Sequence, residues 1–148
     1  MGTSQQPKDV RDLMTPTPIS VSPHTPVDEA RTLMQQHRIR HLPVLDHGEL
    51  VGIVSDRDIR LVLPSPATSL SVHEIGYLLT RLTVAEIMTR GPLTIAPERP
   101  ITEAVRRMLA HKVGALPVMA EGQLVGIVTR TNLLQAFLLS QAEFSVAA

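Results

Sequence analysis

Apolar and polar positions along this chain change period in a fixed order, and the order is run through twice. Pro18-Ile19-Ser20-Val21 reads as a short extended piece, and Thr25-Pro26 then supplies an N-cap with proline at the first helical position. Val27, Ala30, Leu33 and Met34 recur at helical spacing and predict an amphipathic helix of about three turns that His37 closes. Ile39 to Leu45 and Leu50 to Val54 predict two strands joined by the polar turn Asp46-His47-Gly48-Glu49. A second helix starts near Ser55, carries Ile59, Val62 and Leu63, and stops at Pro64 and Pro66. The second half repeats this succession, with Ile101, Ala104, Val105 and Met108 on its first helix and Leu133, Leu134, Phe137 and Leu138 on its second.

The recurrence is an internal duplication. Aligned without a gap, Val10 to Arg60 lies over Val84 to Leu134, and IRHLPVLDHGELVGIVSDRD returns as VGALPVMAEGQLVGIVTRTN. Met14/Met88, Pro23/Pro97 and His37/His111 also coincide. Each copy is too small to bury a good core alone, so the expected fold is α/β (α+β), two β-α-β-β-α repeats packed as a pseudo-twofold pair. The cleft between the copies is the expected place of function. The organisation reads as a flexible N-terminus at 1–9, repeats at 10–63 and 84–139, a connector at 64–83 and a C-terminal tail at 140–148. Within the connector, Ser71-Val72-His73-Glu74 has capping-box spacing, and Ile75, Leu78, Leu79 and Leu82 follow at helical intervals. That stripe is expected to bury against its own module or against a second subunit.

Composition removes several classes of function. Zero formal net charge and a pI of about 7.0 give no global footprint for nucleic acid or an anionic membrane. The absence of cysteine excludes disulfides and thiolate chemistry and fits a reducing cytoplasm. No signal peptide and no apolar run of about 20 residues is present, so the chain reads as soluble and cytoplasmic.

The h-x-x-L-P-V strand, the G-h-h-[ST]-x-x-D ending and the element order resemble tandem cystathionine-β-synthase (CBS) domains, the pair called a Bateman module. RIRHLPV, VGIVSDRDIR, PSP and LLTRLTVAEIM are more narrowly similar to the stand-alone CBS proteins of acetoin-utilisation operons. The resemblance implies an adenosine ligand such as AMP, ATP, NAD or S-adenosylmethionine. It implies that Asp58 holds the ribose diol, that Gly52 and Ser55 complete the motif with Ser55 at a phosphate, and that Ile19, Leu42 and Pro43 wall the adenine. A carboxylate is a bidentate acceptor suited to a diol, and a helix start offers N–H groups to phosphate. Arg40, His41 and Arg57 are the candidate phosphate cations.

The same Ser55-Asp56-Arg57-Asp58 spacing is also that of a capping box needing no ligand. The second copy offers Leu93, Pro117, Thr129, Arg130 and Asn132, and is expected to bind more weakly because asparagine carries no charge. His37 and His111 suit helix ends, while His24, His47 and His73 form no metal-ligand spacing. Asp56 and Asp58 are too few for acid/base catalysis, and no nucleophile or phosphate-loop motif is present, so no enzyme activity, catalytic cofactor or metal is expected. Apolar stripes at Val27/Ala30/Met34, Ile101/Ala104/Met108 and Leu133/Phe137 suggest a homodimer. Two roles stay open: a nucleotide-responsive regulator of an unknown partner protein, and a ligand-independent dimerisation scaffold.

Overall fold

In chain order the elements are α1 (Val10–Leu13), β1 (Thr15–Pro16), α2 (Val27–His37), β2 (His41–Asp46), β3 (Glu49–Ser55), α3 (Asp56–Val62), α4 (Val72–Arg81), α5 (Val84–Ile87), β4 (Thr89–Arg90), α6 (Ile101–His111), β5 (Ala115–Ala120), β6 (Gln123–Thr129) and α7 (Arg130–Ala147). This computed structural model describes residues 7–64 and 69–147, with side chains as far as 141. The expected stop at Pro66 lies outside the described residues.

Turn chemistry sets both hairpins. His47 and Gly48 (φ 50° and 81°) join β2 to β3, and Glu121 and Gly122 (φ 51° and 75°) join β5 to β6. Two successive left-handed residues are what a type I′ turn requires, and glycine takes the second without a steric cost. Each hairpin shifts register once, between Val44 and Leu45 and between Val118 and Met119, which inserts one extra residue in β3 and in β6.

The third strand of each sheet comes from the other copy. β4 pairs with β3 to give the order β2-β3-β4, and β1 pairs with β6 to give β1-β6-β5. The carbonyl of the bulge residue Val51 accepts Gly91 N–H, and that of Val125 accepts Thr17 N–H, both at 3.3 Å. Residues 19–92 therefore make one compact unit, and residues up to Pro18 with Leu93 onward make the other. The expected strand Pro18–Val21 is not a ladder strand: only Val21 forms a single parallel bridge, to Val44, as Ile95 does to Val118. The exchanged strands lie on the opposite edge of each hairpin, β4 beside β3 and β1 beside β6.

In the 19–92 unit, Leu42, Val44, Val54 and Ile59 form a core with Val27, Ala30 and Met34. Leu79 of α4 is buried in it, and Ile75 and Leu82 pack against it, so the connector stripe serves its own module. The other core gathers Val10, Ile95, Ala104, Met108, Leu116, Val118 and Val128.

Three expectations are corrected. Pro26, not Thr25, is the N-cap of α2, because Thr25 Oγ1 instead accepts Ser22 N–H at 3.0 Å. Val27, Ala30, Met34, Ala104 and Met108 are spent in their own cores and cannot supply an outer interface. The C-terminal tail continues α7 to Ala147, and Leu134, Phe137, Leu138 and Leu139 of that helix are exposed.

Candidate functional site

The end of β3 and the start of α3 converge because Ser55 serves both. It is the last residue of the strand, opposite His41 in the ladder, and the N-cap of the helix. Its hydroxyl accepts Asp58 N–H at 3.1 Å, and Asp58 Oδ2 accepts Ser55 N–H at 2.8 Å, a reciprocal capping box. One carboxylate oxygen completes this ring. Among the described residues, Asp58 Oδ1 accepts no hydrogen bond, and the side chain is only half-buried.

The equivalent position in the other unit uses its acceptor completely. Asn132 Oδ1 accepts both Thr129 N–H at 2.8 Å and Thr129 Oγ1–H at 3.0 Å, while Asn132 N–H donates to Thr129 Oγ1 at 3.4 Å. Asparagine has only this one oxygen. The two caps are alike in form, but only the Asp58 cap keeps a charged acceptor in reserve.

The main chain brings Arg40 to the same junction. Asp56 N–H donates to the Arg40 carbonyl at 2.8 Å, as Arg130 N–H does to Gly114 at 3.2 Å. Asp56 and Asp58 N–H are both engaged, so the expected row of free N–H groups at this helix start shrinks to Arg57 N–H. A phosphate here would depend on side chains instead. Arg57 is exposed and without an ion pair among the described residues, and His41 is half-buried.

Of the remaining expected residues in the 19–92 unit, Leu42 and Pro43 are fully buried in β2, and Ile19 packs on the same core. Val21 N–H bonds the Pro43 carbonyl at 3.0 Å, which ties the segment carrying Ile19 to that strand. Gly52 has another duty. A Cβ there would lie 2.5 Å from Met88 Sδ and 2.9 Å from the Thr89 carbonyl, so the bare glycine admits β4. Leu93, Pro117, Thr129, Arg130 and Asn132 all fall in the other unit, with Pro117 buried and Leu93 packed on its core.

The sequence reading missed a groove of about 540 Å³ between α2 and α3. Arg40 borders it, together with Arg31 of α2, Arg38 at the C-cap of that helix and Arg60 of α3, whereas Asp58 and Arg57 do not. The signal was present as helical spacing on polar flanks, Arg31/Gln35/Arg38 and Asp56/Arg60. Among the described residues no group of three His, Asp or Glu side chains could hold a metal, and no helix is long and apolar enough to cross a membrane.

Comparison with known proteins bears on this geometry. The chain is similar over 95% of its length to 96% of a Vibrio cholerae protein assigned to acetoin utilisation, at 29% identity and a TM-score of 0.74. It is similar over 91% of its length to 99% of CBSX2 from Arabidopsis thaliana in complex with AMP, at 34% identity and a TM-score of 0.72. A third structure is a CBS domain pair bound to 5′-methylthioadenosine and S-adenosylmethionine, with 28% identity, a TM-score of 0.72, and 87% of this chain against 94% of that one. The CBS domain pattern matches residues 10–65 and again 84–139, so the chain belongs to the CBS domain family and carries two copies of that domain.

Proposed function

We propose that this protein is a non-catalytic regulatory module that binds an adenosine derivative in the 19–92 unit and passes the signal to a partner protein. The unengaged Oδ1 of Asp58 carries this reading. A carboxylate fixed by its own cap and offering a free charged oxygen is a preorganised acceptor for a ribose hydroxyl. Half-buried Ile19 supplies the apolar wall with Leu42 and Pro43 backing it from the core, Ser55 closes the cap, and Arg40, His41 and Arg57 stand where phosphate would need cations. The AMP, methylthioadenosine and S-adenosylmethionine bound by related CBS pairs support the ligand class. The other unit, with Leu93, Pro117, Thr129, Arg130 and Asn132, is the weaker site because Asn132 has spent its only oxygen. With zero net charge and no membrane-crossing helix among the described residues, the cytoplasm is the proposed location.

A thermal-shift panel of AMP, ATP, NAD and S-adenosylmethionine tests the reading. A ligand at 100 times its dissociation constant adds about 2.7 kcal/mol of stability. One member of the panel should raise the melting temperature; no shift with any of them rejects the proposal.

The exposed row Leu134, Phe137, Leu138 and Leu139 on α7 favours a second property, self-association into a homodimer. If the caps serve only the helices, this row would make the chain a scaffold. Sedimentation at the monomer mass of 16.2 kDa across micromolar concentrations would contradict the dimer.

A further inference from the structure

We propose that Met14 and Met88 are sulfoxidation sites at which hydrogen peroxide loosens the exchanged strands β1 and β4. The chain has no cysteine, so its sulfur chemistry rests on methionine alone. Among the described residues, Met34 and Met108 are buried, each 5% exposed, whereas Met14, Met88 and Met119 are half-buried and within reach of a small oxidant. Met14 and Met88 hold equivalent places in the two copies. Each is the C-cap of a one-turn helix, α1 or α5, and directly precedes an exchanged strand.

The sulfur of each methionine fastens its strand to the other copy. A Cβ on Gly52 would lie 2.5 Å from Met88 Sδ, and one on Gly126 would lie 2.5 Å from Met14 Sδ, so each thioether fills the space that the bare glycine leaves. Little else holds the strands. β4 pairs with β3 at Thr89 and Arg90 only, β1 pairs with β6 at Thr15 and Pro16 only, and Pro16 has no N–H to give. The hydrogen bonds that follow, Gly91 N–H to the Val51 carbonyl and Thr17 N–H to that of Val125, are long at 3.3 Å. Peroxide transfers one oxygen to the sulfur: an S–O bond forms as the O–O bond breaks, the thioether loses two electrons, and the peroxide leaves as water. The product is polar at the atom that touches the glycine. The polar atom nearest that spot is the Thr89 carbonyl in one unit and the Thr15 carbonyl in the other, and a carbonyl gives a sulfoxide oxygen no hydrogen bond. Buried Val84 and Val10 keep the helical turns anchored, so the strands are what come away.

This inference needs no nucleotide and fails or holds apart from the function proposed above. The full chain is treated with hydrogen peroxide and followed by peptide mass spectrometry, amide hydrogen exchange and thermal melting. We expect sulfoxide at Met14 and Met88 to form about tenfold faster than at Met34 and Met108, faster exchange at Thr17 and Gly91, and a melting temperature lower by about 4 °C or more. Methionine sulfoxide reductases for both sulfoxide epimers, supplied with a thiol, should reverse all three changes. The Met14→Leu/Met88→Leu variant keeps apolar side chains of similar volume and should hold its own melting temperature through the treatment, even with Met119 oxidised. Each chain is compared with itself before peroxide, and the mapping, exchange and reversal in the parent need no variant. The proposal is overturned if Met14 and Met88 oxidise no faster than the buried pair, if their oxidation leaves Thr17 and Gly91 exchange unchanged, or if the double variant loses as much stability as the parent.

Discussion

Met88 reaches to within 2.5 Å of where a side chain at Gly52 would begin, and Met14 does the same at Gly126. The coincidence of these methionines and glycines in the two copies is visible in the sequence, but their contact is not, because each methionine meets the glycine of the other copy. Gly52→Ala should therefore cost about 1–3 kcal/mol in urea unfolding, as overpacking does. Trimming Met88 to alanine as well should recover only part, since the Thr89 carbonyl stays 2.9 Å away. Thr17 is the complementary case. It holds φ 46° where its counterpart Gly91 holds 56°. A β-branched residue is strained there, so Thr17→Gly should raise stability by up to about 1 kcal/mol, and a loss would show that its hydroxyl matters more than its backbone.

Helix starts show how far local patterns could be followed. Ser55 and Ser71 cap α3 and α4 as their spacing predicts, because a cap needs only residues three apart. Thr25 does not, because its hydroxyl is drawn into the Ser22–Thr25 turn and Pro26 takes the cap position. Ser55→Ala should cost about 1 kcal/mol with or without nucleotide. Asp58→Asn keeps an oxygen for Ser55 N–H, as Asn132 does for Thr129, and should cost less. On α6, Glu103 accepts from Arg99 and, at 2.7 Å, from Arg107, which also reaches the Thr94 carbonyl. The Arg99 hydrogen bond, then that from Arg107, holds the Glu103 carboxyl below its usual value. A depressed carboxyl stabilises the fold above its unfolded pKa and loses that contribution as pH falls through the folded one. Glu103→Gln should thus flatten the acid side of the stability profile while lowering stability at neutral pH; an unchanged acid limb would show the pair to be idle.

Over the whole chain, duplication and the kinds of element are legible from periodicity, while the exchange of α1–β1 and α5–β4 between the copies is not. Two-residue strands carry too little pattern, and their pairing is with distant residues. The consequence is that a sequence repeat is not a folding unit. Residues 19–92 expressed alone should unfold cooperatively in urea, whereas residues 10–63, which lack β4 and α5, should show no such transition. The site was legible as a motif, but the spare oxygen on Asp58 and the spent one on Asn132 needed coordinates. That difference is the core of the functional account, and calorimetric titration of AMP into the parent, Asp58→Asn and Asn132→Ala chains tests it most directly. We predict roughly ten- to a hundredfold weaker binding for Asp58→Asn, the loss of charged hydrogen bonds, with little change for Asn132→Ala. Equal affinity in the parent and Asp58→Asn chains would contradict it.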